Sequence, residues 1–117
     1  MMRLPAGTQV WLACRPMDMR KGFNGLAAQV MEVLRADPYS GHVFVFRGKR
    51  GDLLKILYWD DTGLCLFAKR LEKGRFVWPP VIDERVRLTV GQLDLLIEGM
   101  DWRRTVPIEV EYRPALA

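Results

Sequence analysis

With 117 residues, half of them hydrophobic and 27% charged, the chain has the length and mix of one globular domain that buries its own core without disulfide staples. No run approaches the roughly 18 apolar residues of a membrane span, which excludes an integral helical membrane protein. The formal charge of +4 is uneven: residues 15–75 carry twelve basic and seven acidic side chains, residues 76–117 five and seven, so an acidic partner belongs on the first part.

The N-terminal stretch is broken by Arg3 and Pro5, so no secretory leader is expected. Thr8 to Cys14 reads as a first strand, ended by Arg15-Pro16 because proline has no amide to donate. Phe23, Leu26, Ala27, Val30, Val33 and Leu34 then recur at three- and four-residue spacing and predict a helix closed by Asp37-Pro38. Asp18 or Asn24 supplies its cap. Arg20 and Lys21 lie near its start, the wrong end for the helix dipole, so an anion site or a salt bridge to Asp18 is expected there.

Four aromatic-rich runs follow: Val43 to Phe46, Leu53 to Trp59, Gly63 to Leu71 and Arg75 to Trp78. Short Gly- and Asp-containing turns separate them, the pattern of an antiparallel meander. With Asp61 and Thr62 at one tip, Lys55 pairs with Ala68 and Lys69 with Leu54. Alternation then puts Lys55, Leu57, Trp59, Leu66, Ala68 and Arg70 on one face, the better candidate for exposure. Leu54, Ile56, Tyr58, Cys65, Phe67 and Lys69 fall on the other. Asp83 to Leu88 reads as a short strand, and Thr89 to Gln92 has capping-box spacing ahead of a second helix through Leu93, Leu96, Ile97 and Met100, ended by Gly99. Pro107 to Tyr112 alternates as a last strand. The fold class is α+β: one domain over residues 1–117, an antiparallel sheet of five or six strands with two packed helices.

Catalytic constellations do not form. His42 is the only histidine and Ser40 the only serine, two positions apart at a strand entry, which reads as a loop pair. Cys14 and Cys65 sit in apolar runs and read as buried free thiols, fitting a reducing cytoplasm. Asp60-Asp61 and Asp83-Glu84 read as turn formers. Neither Gly22-Phe23-Asn24-Gly25 nor Gly48-Lys49-Arg50-Gly51 has phosphate-loop spacing. A non-enzyme without metal or cofactor is expected. Between Arg47 and Arg75, eight basic residues face four acids, a surface suited to a polyanion. The aromatics Trp59, Phe67, Phe76 and Trp78 read as core packing before base stacking.

The blocks DMRKG (residues 18–22), GHVFVF (41–46), RGDLLKILYW (50–59) and GLCLFAKRLEKGRFVWP (63–79) follow one another in the order and spacing of a known family. Over residues 9–98 the chain closely resembles the TnpB-type accessory proteins of the insertion-sequence-66 family, encoded beside the transposase of bacterial mobile elements. The resemblance implies a role in transposition, in a bacterial cytoplasm, with the chemistry of strand cleavage left to the separate transposase. On this reading the protein contacts DNA phosphates through Arg20, Lys21, Arg47, Lys49, Arg50, Lys55, Lys69, Arg70 and Lys73, and partners the transposase and other accessory proteins, with a homo-oligomer open. The alternative is a protein-interaction module that docks on the transposase without touching DNA.

Overall fold

The computed structural model describes residues 4–104. Five strands, β1 (Val10–Ala13), β2 (Val43–Arg47), β3 (Leu53–Trp59), β4 (Leu64–Arg70) and β5 (Arg85–Leu88), form one sheet in the order β4-β3-β2-β1-β5. Helix α1 (Phe23–Glu32) joins β1 to β2, and α2 (Val90–Ile97) follows β5. A short 3-10 turn (Trp102–Arg104) closes the described chain. The α+β class holds. All neighbours are antiparallel except β1 and β2, which run parallel because the α1 segment makes the long crossover that parallel strands need.

The sheet is covered on both faces. Phe44, Phe46 and Leu57 pack under Leu26, Ala27, Val30 and Leu34 of α1 and its exit. Val43, Val45, Leu54 and Ile56 pack under Leu93, Leu96 and Ile97 of α2, together with Phe76 and Trp102. That explains β2, in which Val43 to Phe46 are all buried: a central strand between two helices has no solvent side. It also corrects the expectation that the Lys55–Leu57–Trp59 face is the open one. That face carries α1.

The predicted register of the second hairpin is the observed one: Lys55 pairs with Ala68 and Leu54 with Lys69. At its tip the Asp60 carboxylate accepts from Thr62 N, Thr62 Oγ1 and Gly63 N, and Asp61 sits at φ 83°. The capping box on α2 is complete, with Thr89 Oγ1 accepting from Gln92 N and Gln92 Oε1 from Thr89 N. Gly99, at φ 78°, ends that helix, its N–H bonding Leu96 O while the Met100 N–H bonds Leu95 O.

Further expectations fail, and Met100, expected on the apolar face of α2, lies exposed beyond its end. Arg75 to Trp78 is not a strand; its Phe76 N–H and Trp78 Nε1–H both donate to Gly51 O at 3.0 Å, which uses the segment to brace a turn instead of extending the sheet. The N-cap of α1 is Gly22, with no side-chain cap: of the two expected caps, Asp18 is spent on Arg20 and Asn24 lies within the first turn of the helix. Phe23 is half exposed, so the apolar face of α1 begins at Leu26. The strand expected over 107–112 lies outside the described residues.

Candidate nucleic-acid interface

Three loops meet at the end of the sheet where β2 stops and β3 starts. The β2–β3 turn, 48–52, is in the middle. On one side lies the 15–22 segment, tied by Met17 N–H to Arg47 O at 3.0 Å. On the other side lies 71–78, tied by Leu71 N–H to Asp52 O at 2.8 Å and by the two bonds to Gly51 O. Gly51 is in the left-handed region (φ 83°), and a Cβ there would sit 3.1 Å from Arg75 Cδ and 3.3 Å from Trp78 Nε1. Gly48 is as constrained: a Cβ would meet Met19 Cγ at 2.6 Å. Glycine is therefore required at 51 by its left-handed backbone and at 48 by the approach of Met19.

This end is rich in exposed cations. Arg20, Lys49, Arg50, Arg70, Lys73 and Arg75 are all exposed. Arg20 grips Asp18 through Nε and a terminal nitrogen, 2.9 Å at closest, and holds its carboxyl well below the usual carboxylate range. Arg50 reaches Asp52 at 3.5 Å. The side chains of Arg20 and Arg50 stay 91% and 81% accessible. Arg47 behaves differently. It lies over the Trp78 ring at 5.2 Å and donates to Gly48 O, and burial together with the nearby positive charge of Arg75 pushes its guanidinium down from its ordinary value.

The two strand-centre lysines are tied to backbone. Lys55 Nζ donates to Lys21 O at 2.9 Å and anchors the segment before α1. Lys69 Nζ donates to Ile97 O at 2.8 Å, on the last turn of α2. Of the nine predicted contact residues, Arg20, Lys49, Arg50, Arg70 and Lys73 thus stand together on the exposed end. Lys21 is half buried beside them, while Arg47, Lys55 and Lys69 carry internal bonds. Arg75 joins the group; it was visible in the sequence as the last cation of the cluster.

Aromatic rings do not form a stacking platform on this end. Phe76 is buried, Trp78 packs edge-on to it, and Trp59 packs edge-on to Tyr39 near the opposite end, beside the Asp60-Asp61 tip. Ser40 and His42 form the loop pair expected of them, with Ser40 Oγ accepting from His42 N and His42 Nδ1 accepting from Gln9 N. Both cysteines are free thiols; Cys14 is buried and burial pushes its pKa up.

A feature that charge counting missed is an open groove of about 640 Å³ between the 16–19 segment and the turn. Pro16, Met17, Met19 and Leu53 line it along with Asp18, Lys49, Arg50 and Asp52. Residues from the DMRKG block and the RGD block, some thirty positions apart, thereby form its two walls.

Comparison with known proteins places the chain among relatives of one kind. The family model described as "IS66 Orf2 like protein" matches residues 8–107. The "Uncharacterized protein y4hO" of Sinorhizobium fredii (strain NBRC 101917 / NGR234) is 48% identical over 102 residues, 86% of this chain and 89% of that protein. The "Uncharacterized protein y4jC" of the same organism is 46% identical over 98 residues, 84% of each chain. No solved structure matches.

Proposed function

The chain belongs to the family of IS66 Orf2-like proteins, which implies an accessory role associated with transposition, and from that premise we propose that it serves by contacting DNA phosphates through its basic end. The observation that carries the proposal is the convergence of three separate loops whose cations, Arg20, Lys49, Arg50, Lys73 and Arg75, stay exposed beside Arg70 at the end of β4. A like-charged neighbour supports it: Arg75 lies close enough to help push the Arg47 guanidinium down, after burial, a positive potential that a phosphate would relieve. Contacts of this kind position a protein on a duplex without reading its sequence, so the choice of site falls to the transposase.

Titration of labelled element-end and shuffled duplexes across a salt series tests the proposal. Each phosphate neutralised contributes about 0.9 to the log–log salt slope, so Arg20, Lys49 and Arg50 together account for about 2.7 of it. The triple alanine variant should show that smaller slope with its thermal unfolding unchanged. Absence of duplex binding at low salt, or an unaltered slope in the variant, overturns the assignment.

A further inference from the structure

We propose that the groove between the 16–19 segment and the β2–β3 turn docks an acidic, apolar peptide segment of a protein partner, an interaction that shares Arg20, Lys49 and Arg50 with the phosphate contacts and adds an apolar floor those contacts do not use. Its volume of about 640 Å³ is in the range of built ligand sites. The floor is aliphatic and thioether (Met17, Met19 and Leu53), and unbranched methionines adapt to the varied side chains of a peptide. An extruded base would want a ring to stack on, and none lines the groove.

The rim sets the sign of the partner. Lys49 and Arg50 stand exposed on one wall, and Arg20 adjoins the other. The lining itself is balanced, Lys49 and Arg50 against Asp18 and Asp52, with Arg50 reaching Asp52 at 3.5 Å; Arg20, bonded to Asp18 through Nε and one terminal nitrogen, adds a surplus of one and leaves its remaining donors to solvent. Aspartate or glutamate flanking an apolar anchor would complete the surplus.

The walls are also fixed before anything binds. Met17 N–H holds Arg47 O at one point, Lys55 Nζ holds Lys21 O at another, and Met19 lies against Gly48. Little ordering remains to be done on association, which favours a specific dock over a soft apolar patch. In this arrangement Lys55 is a positioning residue: it shapes the groove from below without reaching the ligand.

A phage-displayed library of random dodecapeptides, panned on the full chain at low salt, tests the inference. Enriched sequences should place leucine, methionine or phenylalanine between aspartates or glutamates. A synthetic copy of an enriched peptide should lose at least tenfold in affinity to Leu53→Asp and severalfold to Lys49→Glu, a change on an exposed turn that spares the fold. Duplex binding, measured in parallel, should keep its salt slope in Leu53→Asp, which separates failure of this inference from failure of the phosphate reading. No enrichment over the unpanned library, enrichment without acidic bias, or peptide affinity unmoved by Lys49→Glu overturns the proposal. So does a result in which Leu53→Asp weakens a single-stranded oligonucleotide and leaves the peptide alone.

Discussion

Replacing Lys69 with methionine separates a structural cation from a ligand-binding one. Lys69 lies in β4 opposite Leu54 and sends its ammonium across the α2 face of the sheet to Ile97 O, 2.8 Å away. Ile97 is the last residue of α2, where carbonyls lack an intrahelical partner and carry the negative end of the helix dipole. A hydrogen bond from a charged donor is worth about 1.5–3 kcal/mol. Methionine keeps the apolar stem against the sheet and spares the cost of drawing an ammonium out of water, which returns part of that. The net loss is about 1–2 kcal/mol, or about 5–10 °C in Tm for a domain of this size.

Thermal and urea unfolding of Lys69→Met, with Lys73→Met as control on the exposed 72–74 turn, measure it. The control should stay within about 0.5 kcal/mol of the parent. Duplex binding completes the test: a structural Lys69 leaves the salt slope unchanged when removed, whereas a phosphate contact takes about 0.9 with it. Equal stability of the two variants, or a fall in slope for Lys69→Met at unchanged stability, refutes the reasoning.

Gly51→Ala should destabilise by about 1–2 kcal/mol from its left-handed backbone; urea midpoints equal to the parent's would show that the turn relaxes freely. The Asp60 carboxyl is held below its ordinary pKa, first by the backbone N–H groups of Thr62 and Gly63. Its contribution is therefore complete above the unfolded value of about 3.9 and is lost as pH falls through the lower folded value. Against Asp60→Asn, which accepts the same bonds without titrating, the parent's Tm advantage should shrink on acidification, and a constant difference from pH 6 to pH 2 would contradict this. Lys55→Met should speed amide exchange over 18–22 while sparing 60–63, since only the first segment hangs on its ammonium; uniform exchange across both would mean the anchor is dispensable.

The local parts of this fold were legible and the long-range parts were not. The register of β3 on β4 follows from side-chain alternation and the Asp60–Gly63 turn, and the capping box of α2 from the Thr89–Gln92 spacing, because each is decided within a few residues. The parallel pairing of β1 with β2 is decided across thirty residues, and its only trace was the helix between two strands. Arg75 to Trp78 has the composition of a strand. Its fate turned on competing bonds: Gly51 O collects the Phe76 amide and the Trp78 indole, and Val77 O accepts from Trp102 Nε1, which bind the run to the turn and to the 3-10 segment instead of to a strand.

Mixed faces on β3 and β4 were the overlooked signal. A hairpin with one solvent face separates apolar from polar side chains by alternation, whereas these strands place leucines and a lysine on each side. Such a pattern is what two covered faces require. A lysine within a covered face must then find an acceptor, and each found the main chain of the segment packed over it: Lys55 the turn before α1, Lys69 the end of α2. The same logic sorts the charges of the functional end. A cation rooted mid-strand is committed to the fold, while Arg70 at the end of β4 and Arg20, Lys49, Arg50, Lys73 and Arg75 in the loops stay exposed. Position along the strand, more than the number of lysines and arginines, therefore decides which of them stay open to solvent.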